Sequence, residues 1–93
     1  MRIFESQFGK VELTMERMKH IFQFHPEVKA YKKLFSKTLK HPNFTKKSKH
    51  DEKVIICYQR LVKNKFLAVV VKTNSRNFIL TVYLTSKIQR LPV

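Results

Sequence analysis

A chain of 93 residues holds one domain, residues 1–93, and leaves no length for a second. Its hydrophobic fraction of 43%, with eight Phe and three Tyr, excludes a disordered chain and lets few side chains fill a small core. Twenty Lys and Arg against six acidic residues leave a formal charge of +14, so the expected partner is a polyanion: nucleic acid first, an acidic protein second, a membrane surface third.

Arg2 to Phe8 is weakly patterned, a short strand or a loose start. Gly9 is the single glycine, which excludes the glycine-rich loops that cradle phosphates or dinucleotides. Lys10 to Leu13 alternates and suits a short strand. Thr14 is a good N-cap, and Glu16 in the first turn suits the helix dipole. A first helix is predicted to about Gln23, with Met15, Met18, Ile21 and Phe22 at helical spacing as its buried stripe. His20 points away from that stripe. Pro26 disfavours helical geometry at His25 and is well placed to begin a second helix.

That second helix is predicted over Pro26 to Lys40. Its apolar face is Val28, Tyr31, Leu34, Phe35 and Leu39. Lys29, Lys33, Lys37 and Lys40 fall on the other side, either as a solvated face or as a stripe that follows phosphates. His41-Pro42 ends it. Asn43 to Lys53 is polar and basic, and reads as a connector with at most a short strand near Phe44. Its Lys46, Lys47 and Lys49 are candidates for backbone phosphate contacts.

Three strands follow: Val54 to Val62, Lys65 to Thr73 and Asn77 to Thr85. The turns between them, Lys63-Asn64-Lys65 and Asn74-Ser75-Arg76, are short enough for an antiparallel meander. Cys57 stands alone in an apolar run and reads as a small buried hydrophobe. Ser86 to Val93 is a tail with room for one helical turn before Pro92. The fold class expected is α+β: two N-terminal helices packed on one face of a curved antiparallel sheet, made of the three-strand C-terminal meander plus one or two short N-terminal strands. No run approaches the ~20 apolar residues that span a bilayer. With no apolar signal segment at the start, a cytoplasmic protein without membrane attachment is expected.

Alternation divides each strand between two faces. Phe78, Leu80, Val82 and Leu84 group on one side of the last strand, and Ile79, Thr81, Tyr83 and Thr85 on the other. One face of the sheet would pack under the helices. The other would carry Tyr58, Arg60, Lys72, Thr81, Tyr83 and Thr85. Cations and hydroxyls in that pattern suit a phosphodiester, and they equally suit an ordinary solvated sheet face. His20 and His25 have three readings: unrelated surface residues, a metal pair, or an acid–base pair. The metal reading lacks a neighbouring carboxylate set. Histidine titrates near neutrality and can move protons in a transesterification without metal or cofactor.

The run His20-Ile21-x-x-x-His25-Pro26-Glu27 resembles the "HI…HPE" signature of small nucleases from phages and mobile elements, grouped with the barnase/EndoU/colicin/RelE-like (BECR) fold. Tyr31 and Thr38-Leu39-x-x-Pro42 are similar to that family's helix and its terminal "TL.nP". Tyr58-Gln59-Arg60 resembles its "YYR" strand, with Gln59 replacing the second aromatic. Leu67 to Lys72 resembles its apolar strand ending in Lys. Ile79 to Thr85 resembles its "iiTAYlt" strand, with Val82 replacing the alanine. The likeness spans about Val11 to Ile88. It implies metal-independent RNA cleavage and a toxin role with an acidic antitoxin as partner. It casts His20 and His25 as acid–base groups, Arg60 and Lys72 as phosphate stabilisers, and Thr81 and Tyr83 as positioning groups. Tyr58, Thr85, Lys46, Lys47 and Lys49 complete the expected substrate contacts. A basic nucleic-acid-binding module without catalysis is the rival reading. A protein that docks an acidic partner is a third.

Overall fold

The computed structural model describes residues 1–62 and 64–86. Lys63 of the predicted turn and the predicted helical turn before Pro92 lie outside the described residues. In chain order the elements are β1 (Arg2–Ser6), β2 (Gly9–Leu13), α1 (Met15–Phe24), a 3₁₀ helix (Pro26–Tyr31), α2 (Leu34–Lys40), β3 (Phe44–Lys47), β4 (Val54–Arg60), β5 (Phe66–Lys72) and β6 (Asn77–Thr85).

The expected architecture is corrected. The six strands form one sheet in the order β1-β2-β6-β5-β4-β3, so the meander of β4, β5 and β6 is only its middle. The sheet is mixed, because β2 runs parallel to β6, with Val11 beside Asn77 and Glu12 beside Phe78. The stretch read as a connector supplies β3, which pairs antiparallel with β4 from Phe44 opposite Tyr58 to Lys47 opposite Ile55. It lacked a strand signature because it is an edge: Phe44, Thr45 and Lys47 are exposed, and lysines are common on edges, where they deter further pairing.

The predicted second helix is also corrected. Pro26–Tyr31 winds as a 3₁₀ helix, and only Leu34–Lys40 is α-helical. The break lets the two pieces serve different neighbours. The 3₁₀ helix packs on α1 and β6, while α2 lies over β1, β4 and β5. One continuous helix could not follow both directions. Thr14 caps α1 as its sequence predicts: its Oγ1 accepts from the Arg17 backbone N–H at 3.1 Å. No helix among the described residues is long and apolar enough to cross a membrane.

The helices bury Ile21, Val28, Phe35 and Leu39 against Val11, Cys57, Leu67, Val69, Val71, Ile79 and Val82 of the sheet. We call this side the core face. A second, smaller cluster of Tyr58, Phe66 and Ala68, with Ile56 and Tyr83 against it, occupies the opposite face. β5 is thus buried on both sides through Val71, which is why Phe66 to Val71 is an unbroken apolar run.

β6 contains an irregularity that overturns the predicted grouping of its side chains. Val70 pairs with Thr81 but Val71 pairs with Ile79, leaving Leu80 as an extra residue. A bulge of this kind reverses the alternation beyond it. Ile79 therefore joins Val82 in the core, and Phe78 joins Thr81, Tyr83 and Thr85 on the second face.

Candidate nucleic-acid interface on the second face of the sheet

Cross-strand register assembles the second face in rows. Tyr58, Ala68 and Tyr83 are direct neighbours, as are Arg60, Phe66 and Thr85. Lys46, Ile56, Val70 and Thr81 form the next row, and Val54, Lys72 and Phe78 the last. Seven of the residues expected to meet substrate therefore share this face: Lys46, Tyr58, Arg60, Lys72, Thr81, Tyr83 and Thr85.

Their environments differ. Tyr58 is 1% exposed and belongs to the apolar cluster, so its ring is part of the floor. Thr81, Tyr83 and Thr85 are half-buried. Arg60 ends β4 in the open, with its guanidinium 5.6 Å from the centre of the Phe66 ring. Its backbone N–H donates to Asn43 Oδ1 at 2.7 Å, and Gln59 Nε2 donates to the same oxygen at 3.1 Å. Asn43 thereby fixes the end of β4.

Lys72 is already paired. Its ammonium donates to Asp51, which also accepts from the Lys53 backbone N–H at 2.9 Å. The hydrogen bond from Lys72, then that from Lys53, holds the Asp51 carboxyl below its ordinary range. Lys46 is in the opposite situation. Its Nζ is covered and has no hydrogen-bond partner. Burial first, and the nearby Lys49 charge second, lower the pKa of that amine. Lys47 alternates to the other side of β3, and Lys49 is exposed in the loop that follows, so neither joins the face.

The two histidines part company. His25 closes α1, its backbone N–H donating to Ile21 O at 2.7 Å, with an extended φ of −132° of the kind Pro26 favours. Its ring lies 6.3 Å from the Tyr83 ring, at the border of the second face. His20 is exposed on α1, where its ring packs on Phe24 at 4.7 Å. It lines a separate groove of about 300 Å³ with Thr14, Glu16 and Arg17. An adjoining groove of about 360 Å³ shares Thr14 and Arg17 and is walled by the Arg76–Glu12 ion pair at 2.8 Å. The lining of these grooves includes neither His25 nor Arg60, Lys72, Thr81, Tyr83 or Thr85.

Burial pushes the Cys57 thiol up to about 12, so it stays protonated and packs as a hydrophobe. Among the described residues no three His, Cys, Asp or Glu side chains gather as a metal-ligand set.

Phe44, Asn43 and Asp51 lie at or beside the face, and none of them is among the site residues expected from the sequence. Phe44 is an exposed aromatic ring on β3, and its position inside a lysine-rich stretch is the signal that could have found it. Asn43 and Asp51 act on predicted residues across 17 and 21 positions of chain, which no local pattern reveals.

Comparison with known proteins finds no matching family model, no matching curated protein and no matching solved structure.

Proposed function

We propose that this chain is a nucleic-acid-directed protein, and more specifically an endoribonuclease that works at the border where His25 meets the second face of the sheet. The observation that carries the reading is the closeness of His25 to Tyr83, on a face that also bears Arg60, Lys46 and the Thr81 hydroxyl. The net charge of +14 supports a polyanionic substrate, and the likeness of His20 to Glu27 to the "HI…HPE" signature supports cleavage.

In this reading His25 takes the proton of an RNA 2′-hydroxyl, and the freed oxygen attacks the adjacent phosphorus. The bond from phosphorus to the 5′-oxygen breaks, and that oxygen takes a proton from a second acid, for which Tyr83 is the candidate. The products are a 2′,3′-cyclic phosphate and a 5′-hydroxyl. Arg60 stabilises the charge that builds on the non-bridging oxygens, joined by Lys46 once its covered amine swings out. An acidic antitoxin would be attracted to the same cations.

The test is incubation of the pure protein with RNA in EDTA, followed by end-group analysis. Cyclic phosphate ends that vanish in His25→Ala are expected. Full cleavage by a folded His25→Ala removes the role given to His25, and loss of cleavage in EDTA rejects the metal-free route.

One observation favours a second reading. His20 lines a groove on α1 whose lining does not include His25. A binding module without catalysis needs no pair of histidines. Affinity for RNA that falls steeply with salt, with no cleavage over long incubation, would establish that reading instead.

A further inference from the structure

Residues 1–27 hold four basic and four acidic side chains, whereas residues 28–93 hold sixteen basic and two acidic ones. The whole net charge therefore resides in the later part of the chain. β3 lies in a basic run, with Lys37 and Lys40 before it and Lys46, Lys47 and Lys49 in and after it.

Phe44 opens this edge strand. Its ring is 44% exposed, although an edge strand has every other reason to be polar. It shares the second face with its cross-strand neighbour Tyr58. The Phe44 and Phe66 rings meet edge-on, 6.2 Å apart at a 70° angle. The Arg60 guanidinium stands over that same Phe66. Two residues along β3, Lys46 has the covered, unpartnered Nζ described above, so a rotamer change must bring it out to a phosphate. An exposed aromatic face flanked by an arginine, with a lysine two residues along its strand, is matched to a base beside its phosphate.

We propose that Phe44 is a stacking platform for an unpaired nucleobase, flanked by Arg60 and Lys46 as phosphate contacts, and that the substrate class of this face is single-stranded nucleic acid. The proposal deepens the nucleic-acid reading and rests on it. Duplex bases are stacked on one another and offer no face to Phe44, so discrimination against duplex follows from the ring. Cations alone would favour the duplex, where phosphate charge is denser. Stacking engages the base and not the sugar, so RNA and DNA strands should both bind.

The test is a fluorescence-anisotropy titration in EDTA with three labelled probes of equal phosphate number: a 2′-O-methyl RNA strand, which cannot be cleaved, a DNA strand of the same sequence, and a blunt 2′-O-methyl RNA duplex. The native chain should prefer both single strands to the duplex by about tenfold or more. Phe44→Leu retains an apolar side chain against Phe66 but has no π-face. It should weaken single-strand binding about 5- to 100-fold, leave duplex binding unchanged, and melt within a few degrees of the native chain. Phe44→Tyr should restore the preference. Lys46→Gln should weaken all three probes and reduce the salt dependence by about one ion. Equal single-strand affinity in Phe44→Leu and the native chain overturns the proposal, as does equal loss on single strand and duplex. Loss of cleavage with the single-strand preference intact overturns only the endonuclease reading. Failure of the native chain to bind any probe at low salt overturns both.

Discussion

The His25 imidazole lies 6.3 Å from the Tyr83 ring, while His20, five residues earlier, packs on Phe24 and lines a different groove. The break in α1 at Pro26 produces this divergence. His20 is carried on a regular turn facing outward, and His25 occupies the turn's end, where the chain bends across β6. Two histidines that look like one pair in sequence thus have unequal standing in space.

A difference in activity follows. His25→Ala should lower RNA cleavage about 10²- to 10⁴-fold, the usual contribution of a general acid or base. His20→Ala should stay within about fivefold of the native chain. Initial rates on a labelled RNA, with circular dichroism to check folding, decide it. The opposite ranking would move the site to the α1 groove.

The Asp51–Lys72 pair should give stability a defined dependence on pH. The Asp51 carboxyl is held below its ordinary 3.8 by the Lys72 hydrogen bond and then the Lys53 backbone N–H. A depressed carboxyl stabilises the fold above its unfolded pKa and loses that contribution as pH falls through its folded pKa. Urea unfolding should find the native chain more stable than Asp51→Asn by a constant margin above about pH 5. That margin should shrink below about pH 4. A margin that does not change with pH would show that the ion pair contributes nothing. The same variant frees Lys72 and should steepen the salt dependence of RNA binding by about one ion.

Asn43 is a single acceptor for two donors on β4. Asn43→Ala should cost about 1–3 kcal/mol in urea unfolding, because it strands the Arg60 backbone N–H and the Gln59 amide. Gln59 is buried and its Oε1 already lacks a partner, which leaves it no compensation. A cost below about 0.5 kcal/mol would mean that water replaces Asn43 at this site.

Leu67 is fully buried on the core face of the central strand β5. Leu67→Ala should destabilise by about 2–5 kcal/mol, through lost transfer energy and the cavity left behind. Small domains have little stability to lose, so thermal melting of this variant should show substantial unfolding below the native midpoint.

The elements with strong local patterns are legible in the sequence. β4, β5 and β6 lie within a residue or two of the three predicted strands, because their apolar runs are bounded by turn residues. Asn64 adopts the left-handed conformation, φ 64°, that its place in a tight turn suggests. The end of α1 falls next to Pro26, which has no N–H to continue the helix. Where local pattern and structure differ, the deciding contact is distant. β3 has too few buried side chains to alternate. The bulge at Leu80 inserts a residue into one strand of a pair, and a period of two carries no trace of it. The parallel contact of β2 with β6 joins residues more than sixty positions apart.

The face that was expected to be polar is half apolar for a similar reason. Tyr58, Phe66 and Ala68 cluster because register sets them side by side, and alternation within one strand does not report what the next strand contributes.

The amino-acid order by itself determined the charge, the apolar central strands and the helix break, since each depends on side-chain chemistry or on backbone sterics over a few neighbouring residues. Tertiary structure decided which cation is paired, which histidine borders the sheet and which strand forms its edge. Those outcomes depend on strand register and helix direction, which long-range packing sets by burying the most apolar surface at once.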